Sequence, residues 1–159
     1  MIIKNIRNYI YGPVKSRRLG FSLGVDLVPF KVCSFNCIYC QVGRTTNNSI
    51  ERKVYLPPDE ILQQISQIIE SGARIDYLTF SGSGEPTLNS KIGYIIGEIK
   101  KFTKIPIAVI TNSSLLFMSD VQTDLCEADV VLPTLCTTNQ KTFLKINRPH
   151  PSLTIDKII

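Results

Sequence analysis

The chain lacks the long apolar stretches and repeated segments that mark membrane proteins and repeat arrays. No run approaches the roughly 18 apolar residues that a membrane-spanning helix needs, and residues 1–4 do not begin an apolar secretory leader. Internal repeats, low-complexity tracts and long polar linkers are also absent, which predicts one domain over residues 1–159. We therefore expect no membrane partner.

The chain has five cysteines and one histidine. The five cysteines are an odd number, and 159 residues can bury a core without disulfides, so no disulfide framework is expected. A reducing cytoplasm is the predicted location. The only histidine, His150, stands between two prolines and is interpreted as a loop residue.

Positive charge is concentrated in the first sixty residues. They hold nine Lys or Arg and four acidic residues, whereas the remaining 99 residues hold nine of each. This asymmetry favours an anionic ligand near the N-terminal third, and a solvated basic surface is the alternative. Arg17 and Arg18 could contact such a ligand. RNA is a candidate partner, although no aromatic and basic recognition motif accompanies the charge.

Short β-branched runs alternate with amphipathic segments along the chain. Strands are predicted at residues 25–32, 77–81, 107–110 and 130–132. Helices are predicted from Pro57 to Gly72, over 92–102 and 119–126, from Asn139 onwards, and at the start of 152–159. This order predicts an α/β fold in which crossover helices connect the strands of a parallel sheet.

Polar loops follow all four predicted strands. Ligands of such folds gather at the carboxyl ends of the strands, so we expect these loops to outline one active site. They are the cysteine loop (residues 33–40), the glycine loop (82–86), the asparagine loop (111–114) and residues 136–138. Asn147 and Arg148 are further candidates for lining the site.

The cysteine loop places three thiols within eight residues, at Cys33, Cys37 and Cys40. Thiolates at this spacing suit zinc or an iron–sulfur cluster. A structural zinc site needs four ligands, and a four-iron cluster on three thiolates leaves one iron open to a small molecule. The remaining candidate ligands lie far along the chain: Cys126, Cys136 and His150.

These motifs carry a family resemblance. The C-x3-C-x2-C pattern with Tyr39 before its third cysteine is the signature of the radical S-adenosylmethionine superfamily, and residues 81–86 are similar to its Gly-Gly-Glu-Pro motif. Residues 11–29 and 145–151 look like its Fe-S oxidoreductase branch, which is distantly related to the wybutosine-synthesis radical enzymes. The resemblance extends over residues 10–153.

The resemblance implies a division of roles. Cys33, Cys37 and Cys40 would ligate a 4Fe-4S cluster whose open iron chelates S-adenosylmethionine. An electron donor such as flavodoxin or ferredoxin would drive cleavage to a 5′-deoxyadenosyl radical, which abstracts a hydrogen from an unknown substrate. No catalytic side chain is assigned. The residues expected to contact the cofactor are Tyr39, Gly82, Ser83, Gly84, Glu85, Thr111, Asn112 and Ser113.

The same resemblance implies a partial TIM-type barrel truncated to about four βα units. The chain would then be the N-terminal portion of the core domain, incomplete at its C-terminus, with Ile155, Ile158 and Ile159 unburied and full activity uncertain. Cys126 and Cys136 are expected to be buried thiols. Two other functions stay open: a fragment of a tRNA-modifying radical enzyme, and a non-catalytic zinc or Fe–S binding module.

Overall fold

A five-stranded, mostly parallel sheet forms the centre of the computed structural model, which describes residues 8–159. Lys4, Arg7 and the leader prediction at residues 1–4 lie outside the described residues. In chain order, the elements are β1 (Ile10–Ser16), β2 (Gly20–Val25), β3 (Val32–Cys33), β4 (Asn47–Asn48), α1 (Pro58–Glu70), β5 (Tyr77–Phe80), α2 (Ile92–Phe102), β6 (Ile107–Thr111), α3 (Ser119–Cys126), β7 (Val130–Pro133), α4 (Gln140–Ile146) and α5 (Ile155–Ile158).

The strands of the main sheet lie in the order β1-β2-β5-β6-β7. Strand β1 is antiparallel to β2, and the other neighbours are parallel. Each step from β2 to β7 moves one place in the same direction, so the carboxyl ends of these four strands meet at one edge. A separate two-stranded parallel sheet pairs β3, where the cysteine loop begins, with β4, which follows that loop. The α/β prediction is confirmed.

The strand predicted at residues 25–32 is wrong. Strand β2 ends at Val25, and an irregular segment follows in which Leu27 and Val28 are buried. The apolar character of this segment therefore reflects burial rather than strand structure. The β1–β2 hairpin was missed because β1 contains Gly12 and Pro13 and is mostly exposed, as an edge strand can be.

Three helices pack in sequence order beside the sheet, α1 against α2 and α2 against α3. Ile61 and Ile65 of α1 and the isoleucines of α2 are fully buried, as their helical spacing predicts. The predicted helix after Asn139 is α4, and the Asn139 side chain accepts a hydrogen bond from Thr142 N at 3.0 Å. Cys126, at the end of α3, is exposed rather than buried, because it lies on the solvent side of a short helix.

A second, smaller core lies beneath the cysteine loop. It consists of four buried side chains: Phe35, Phe143, Leu153 and Ile155. The Phe35 and Phe143 rings meet edge to face with centroids 5.3 Å apart. The expectation that Ile155 is unburied is therefore wrong, since it packs under this loop, and Ile158 is partly buried beside it; Ile159 is exposed.

The basic pair Arg17 and Arg18 lies at the end of the sheet opposite the cysteine loop. Both residues form the turn between β1 and β2, before β2 begins at Gly20. Because β2 runs from Gly20 towards Val25, that turn lies at the amino end of the parallel strands. These arginines therefore do not line the edge that carries the polar loops, and their contact with an anionic ligand stays a prediction.

The longest helix within residues 8–159 is α1, with 13 residues. None of the helices in this part of the chain has the length and apolar character needed to span a bilayer.

Candidate active site

The polar loops predicted to share one edge of the sheet are joined by hydrogen bonds. Asn112 of the asparagine loop donates to Ser34 Oγ of the cysteine loop at 2.9 Å, and its backbone N donates to Glu85 Oε2 of the glycine loop at 2.8 Å. Tyr39 and Cys136 meet at 2.8 Å between hydroxyl and sulfur. All four loops therefore form one continuous surface at the carboxyl ends of the strands.

The cysteine loop is held in place by the segment that follows α4. Asn36 N donates to the Asn147 carbonyl at 3.0 Å, Ile38 N to Ile146 O at 2.9 Å, and His150 N to Ser34 O at 2.8 Å. These bonds join residues more than one hundred positions apart in the sequence. The interpretation of His150 as a loop residue is confirmed, and that loop supports the three cysteines.

A side-chain nitrogen faces the sulfur of every cysteine in this loop. Asn112 Nδ2 lies 3.5 Å from Cys33 Sγ, and Asn147 Nδ2 lies 3.5 Å from Cys37 Sγ. Lys31 Nζ lies 3.1 Å from Cys40 Sγ. Thiolates are much better hydrogen-bond acceptors than thiols, so this arrangement suits three sulfurs that carry negative charge.

The environments of the three thiols differ. Burial, with the nearby Glu85 carboxylate, raises the pKa of Cys33 to about 12, and burial raises the pKa of Cys37. Burial also opposes ionisation of Cys40, but the hydrogen bond and charge of Lys31, together with backbone hydrogen bonds from Val42 and Gly43, outweigh it and lower the pKa of that thiol. Without a bound cation, Cys40 is therefore the thiol that ionises most readily of the three.

A single metal ion and a cluster place different demands on the three cysteines. Within residues 8–159, no group of three or more His, Cys, Asp or Glu side chains is close enough to hold one metal ion. A single zinc needs every sulfur about 2.3 Å from it. A cluster in which each thiolate binds its own iron has no such requirement.

The glycine loop is fixed by a carboxylate that the sequence analysis did not identify. Asp26, directly after β2, accepts hydrogen bonds from Ser83 N at 2.6 Å and Ser83 Oγ at 2.9 Å. Gly82 has φ +116°, and a Cβ there would overlap an Asp26 oxygen. Asp26 was missed because it lay inside a wrongly predicted strand.

Gly84 packs directly against the entry to the cysteine loop. A Cβ at this position would overlap the carbonyl oxygen of Val32, which also accepts a hydrogen bond from Glu85 N at 3.2 Å. Gly84 was predicted to contact the cofactor. In the structure, it allows a close approach of two protein segments.

Gly84→Ala is therefore expected to destabilise the protein by about 3 kcal/mol, at the upper end of the cost of overpacking, because the obstructing atom is backbone. Thermal denaturation followed by circular dichroism measures the change. The matched control is Gly97→Ala in α2, where a Cβ would meet nothing within 4 Å and should stabilise by about 0.5–1 kcal/mol. Equal melting temperatures for the two variants would contradict the packing argument.

Glu85 is fully buried in the contacts of three loops, and its carboxylate accepts four hydrogen bonds. Oε1 accepts from Thr87 N, Thr87 Oγ1 and Thr111 Oγ1, and Oε2 accepts from Asn112 N, at 2.6–3.1 Å. Burial raises the pKa of Glu85, against these bonds. The carboxylate thus joins the glycine loop to the asparagine loop.

Ser113 of the asparagine loop has φ +69°, an uncommon conformation for a residue with a side chain. Its hydroxyl donates to Thr134 O at 3.0 Å, and its backbone N donates to Thr111 Oγ1 at 3.1 Å. Ser113 therefore links the asparagine loop to the segment after β7.

Tyr39 lies between two cysteines. Its hydroxyl contacts Cys136 Sγ, accepts from Asn147 Nδ2 at 3.0 Å and lies beside Cys37. Burial, together with hydrogen bonds to Cys136 and Cys37, raises the pKa of Tyr39. Cys136 is exposed, so the expectation of a buried thiol is wrong; it sits on the open rim after β7.

Comparison with known proteins supplies independent evidence. A family model described as "Radical SAM superfamily" matches residues 27–158. A UPF0026 protein of Methanocaldococcus jannaschii is 44% identical over 151 residues, and one of Synechocystis is 38% identical over 151 residues; these cover 94% of this chain and 47% and 56% of the relatives. The chain thus spans about half the length of these relatives.

Similarity of the same extent is found within a longer protein. The chain is 44% identical over 150 residues to part of a protein named GTPase Obg from Brachyspira hyodysenteriae, of which 22% is covered. The present chain contains no G-x-x-x-x-G-K-[ST] sequence, the pattern of phosphate-binding loops.

Proposed function

Because the chain belongs to the radical SAM superfamily, we propose that Cys33, Cys37 and Cys40 hold a 4Fe-4S cluster and that the neighbouring loops bind S-adenosylmethionine. The observation that carries the proposal is the nitrogen donor facing each of the three sulfurs. Hydrogen bonds to ligand sulfurs stabilise their negative charge and tune iron–sulfur centres. The residues present therefore fit the group.

The chemistry supplied on binding is one-electron cleavage of S-adenosylmethionine to methionine and a 5′-deoxyadenosyl radical, which takes a hydrogen atom from the substrate. The chain's own residues would bind the cofactor and hold the surrounding loops in position. The strap of residues 146–150 fixes the cysteine loop, and Asp26 fixes Ser83 of the glycine loop. Glu85 holds Asn112 beside Cys33 and so positions two loops relative to each other.

The cofactor would lie along the polar edge. In this proposal the main chain of Gly82, Ser83 and Gly84 receives the amino group, the backbone beside Tyr39 meets the adenine, and the asparagine loop reaches the ribose or carboxylate. Glu85 acts by holding these loops, since its carboxylate already accepts four hydrogen bonds. The sequential order of β2, β5, β6 and β7 supports part of a (β/α) barrel as the architecture.

The electron donor and the reaction class are also part of this proposal. Reduction requires a low-potential donor such as flavodoxin or ferredoxin, and the reaction class is that of an oxidoreductase. The substrate class and an RNA partner stay predictions, as does the cytoplasmic location.

The test is anaerobic reconstitution with iron and sulfide, followed by electron paramagnetic resonance of the reduced protein. A 4Fe-4S signal that changes when S-adenosylmethionine is added is the expected result, because an open iron can bind the cofactor. Failure to assemble a cluster, with zinc bound in its place, would favour the alternative of a non-catalytic zinc-binding module. A cluster whose signal does not change when S-adenosylmethionine is added would overturn the proposal that the loops bind this cofactor.

A further inference from the structure

Lys31 is a buried cation next to a proposed cluster ligand. The residue is 3% exposed, and its Nζ lies 3.1 Å from Cys40 Sγ. Among residues 8–159, no Asp or Glu oxygen is recorded within 4 Å of this ammonium group. Burying an ammonium group without a negative partner is costly, so the sulfur of Cys40 is its counter-charge.

The backbone of Lys31 is also unusual. Its φ is +59°, in the left-handed region where glycine carries no steric cost and other residues are uncommon. Lys31 N donates to Ser83 O at 2.9 Å, and Lys31 O accepts from Asn47 N at 3.2 Å. Glycine would satisfy both bonds with less strain, so the presence of lysine indicates that the side chain itself has a role.

Lys31 differs in charge from the donors at the other two sulfurs. Asn112 and Asn147 bring neutral amides to Cys33 and Cys37, whereas Lys31 brings a full positive charge to Cys40. A fixed charge in a buried site acts strongly, because the surroundings screen it little. The positive charge therefore lies closest to Cys40, and it also acts at longer range on Cys33.

We propose that Lys31 is a positioning residue that sets the reduction potential of the cluster held by Cys33, Cys37 and Cys40. The inference rests on the proposed function. When the cluster gains one electron from a low-potential reductant, its negative charge rises by one and no proton moves. The ammonium group stabilises the reduced state more than the oxidised state, so it raises the potential.

The experiment is a redox titration of the reconstituted protein with dithionite, without S-adenosylmethionine, monitored by electron paramagnetic resonance. Lys31→Met is expected to shift the midpoint to a more negative potential than wild type. Lys31→Gln keeps a donor of similar shape without the charge and should also be shifted. The matched control is Lys104→Met, which removes the same charge from an exposed site before β6 and should titrate like wild type.

The outcomes separate this inference from the proposed function. Wild-type midpoints in Lys31→Met and Lys31→Gln, with normal iron content, would overturn the role of Lys31 and leave the cluster proposal standing. Loss of the cluster from both variants, but not from Lys104→Met, would assign Lys31 to cluster assembly and also overturn it. Absence of a cluster from wild type would instead overturn the proposed function.

Discussion

The Cys37→Ala variant is expected to fail to take up iron and sulfide on anaerobic reconstitution, whereas we expect the wild-type protein to bind both. Removing even an outer partner of a ligand commonly lowers metal affinity 10–100-fold, so loss of a ligand thiolate should lower it by more than about 100-fold. Iron and acid-labile sulfide per chain provide the measurement. The same loss is expected for Cys33→Ala and Cys40→Ala.

Two other cysteines provide matched controls. Cys126 is exposed at the end of α3, far from the cysteine loop along the chain, and Cys126→Ala should retain wild-type iron. Cys136→Ala removes the thiol that contacts Tyr39 and tests whether a fourth sulfur contributes. Full iron content in Cys37→Ala, or equal loss in Cys126→Ala, would refute the assignment of the three ligands.

The Glu85→Ala variant is expected to lose about 3–5 kcal/mol of stability. The substitution leaves the backbone N–H groups of Thr87 and Asn112 and the hydroxyls of Thr87 and Thr111 without their acceptor, and each buried donor left unsatisfied costs about 1–3 kcal/mol. For a chain of this size, the melting temperature should fall by about 10 °C. Thermal denaturation of the protein without iron measures it, so the result does not depend on a bound cluster.

Glu98→Ala is the control for this prediction. Glu98 lies on α2 and pairs with the exposed Lys101, and solvent screening leaves such surface pairs with little effect on stability. Its melting temperature should stay close to that of wild type. If Glu85→Ala and Glu98→Ala have the same melting temperature, the Glu85 carboxylate does not hold the loops together.

Local sequence patterns predicted the elements whose contacts are also local. Helix α1 follows from isoleucines at helical spacing after two prolines, and β5, β6 and β7 follow from short β-branched runs. Family membership is confirmed as well. The three-cysteine ligand set and the cofactor-contacting residues stay predictions, although their loops do lie together.

Features that depend on distant segments could not be found this way. Asp26 can be recognised as a site residue only once the glycine loop is seen to pack against it. Lys31 can be recognised only once Cys40 is seen to lie beside it. Asn147 was named as a candidate for the site lining, but its hydrogen bond to Cys37 depends on how the strap folds back. No spacing along the chain encodes these contacts.

The dependence of the cysteine loop on residues 143–155 sets an order of events during synthesis. The three cysteines leave the ribosome about one hundred residues before Phe143 and Ile155, which form the floor of the loop. Until those residues emerge, Asn36 and Ile38 lack the carbonyl partners that shape the loop. Contacts between such distant positions form late, so the proposed cluster could be assembled only after this segment has been translated.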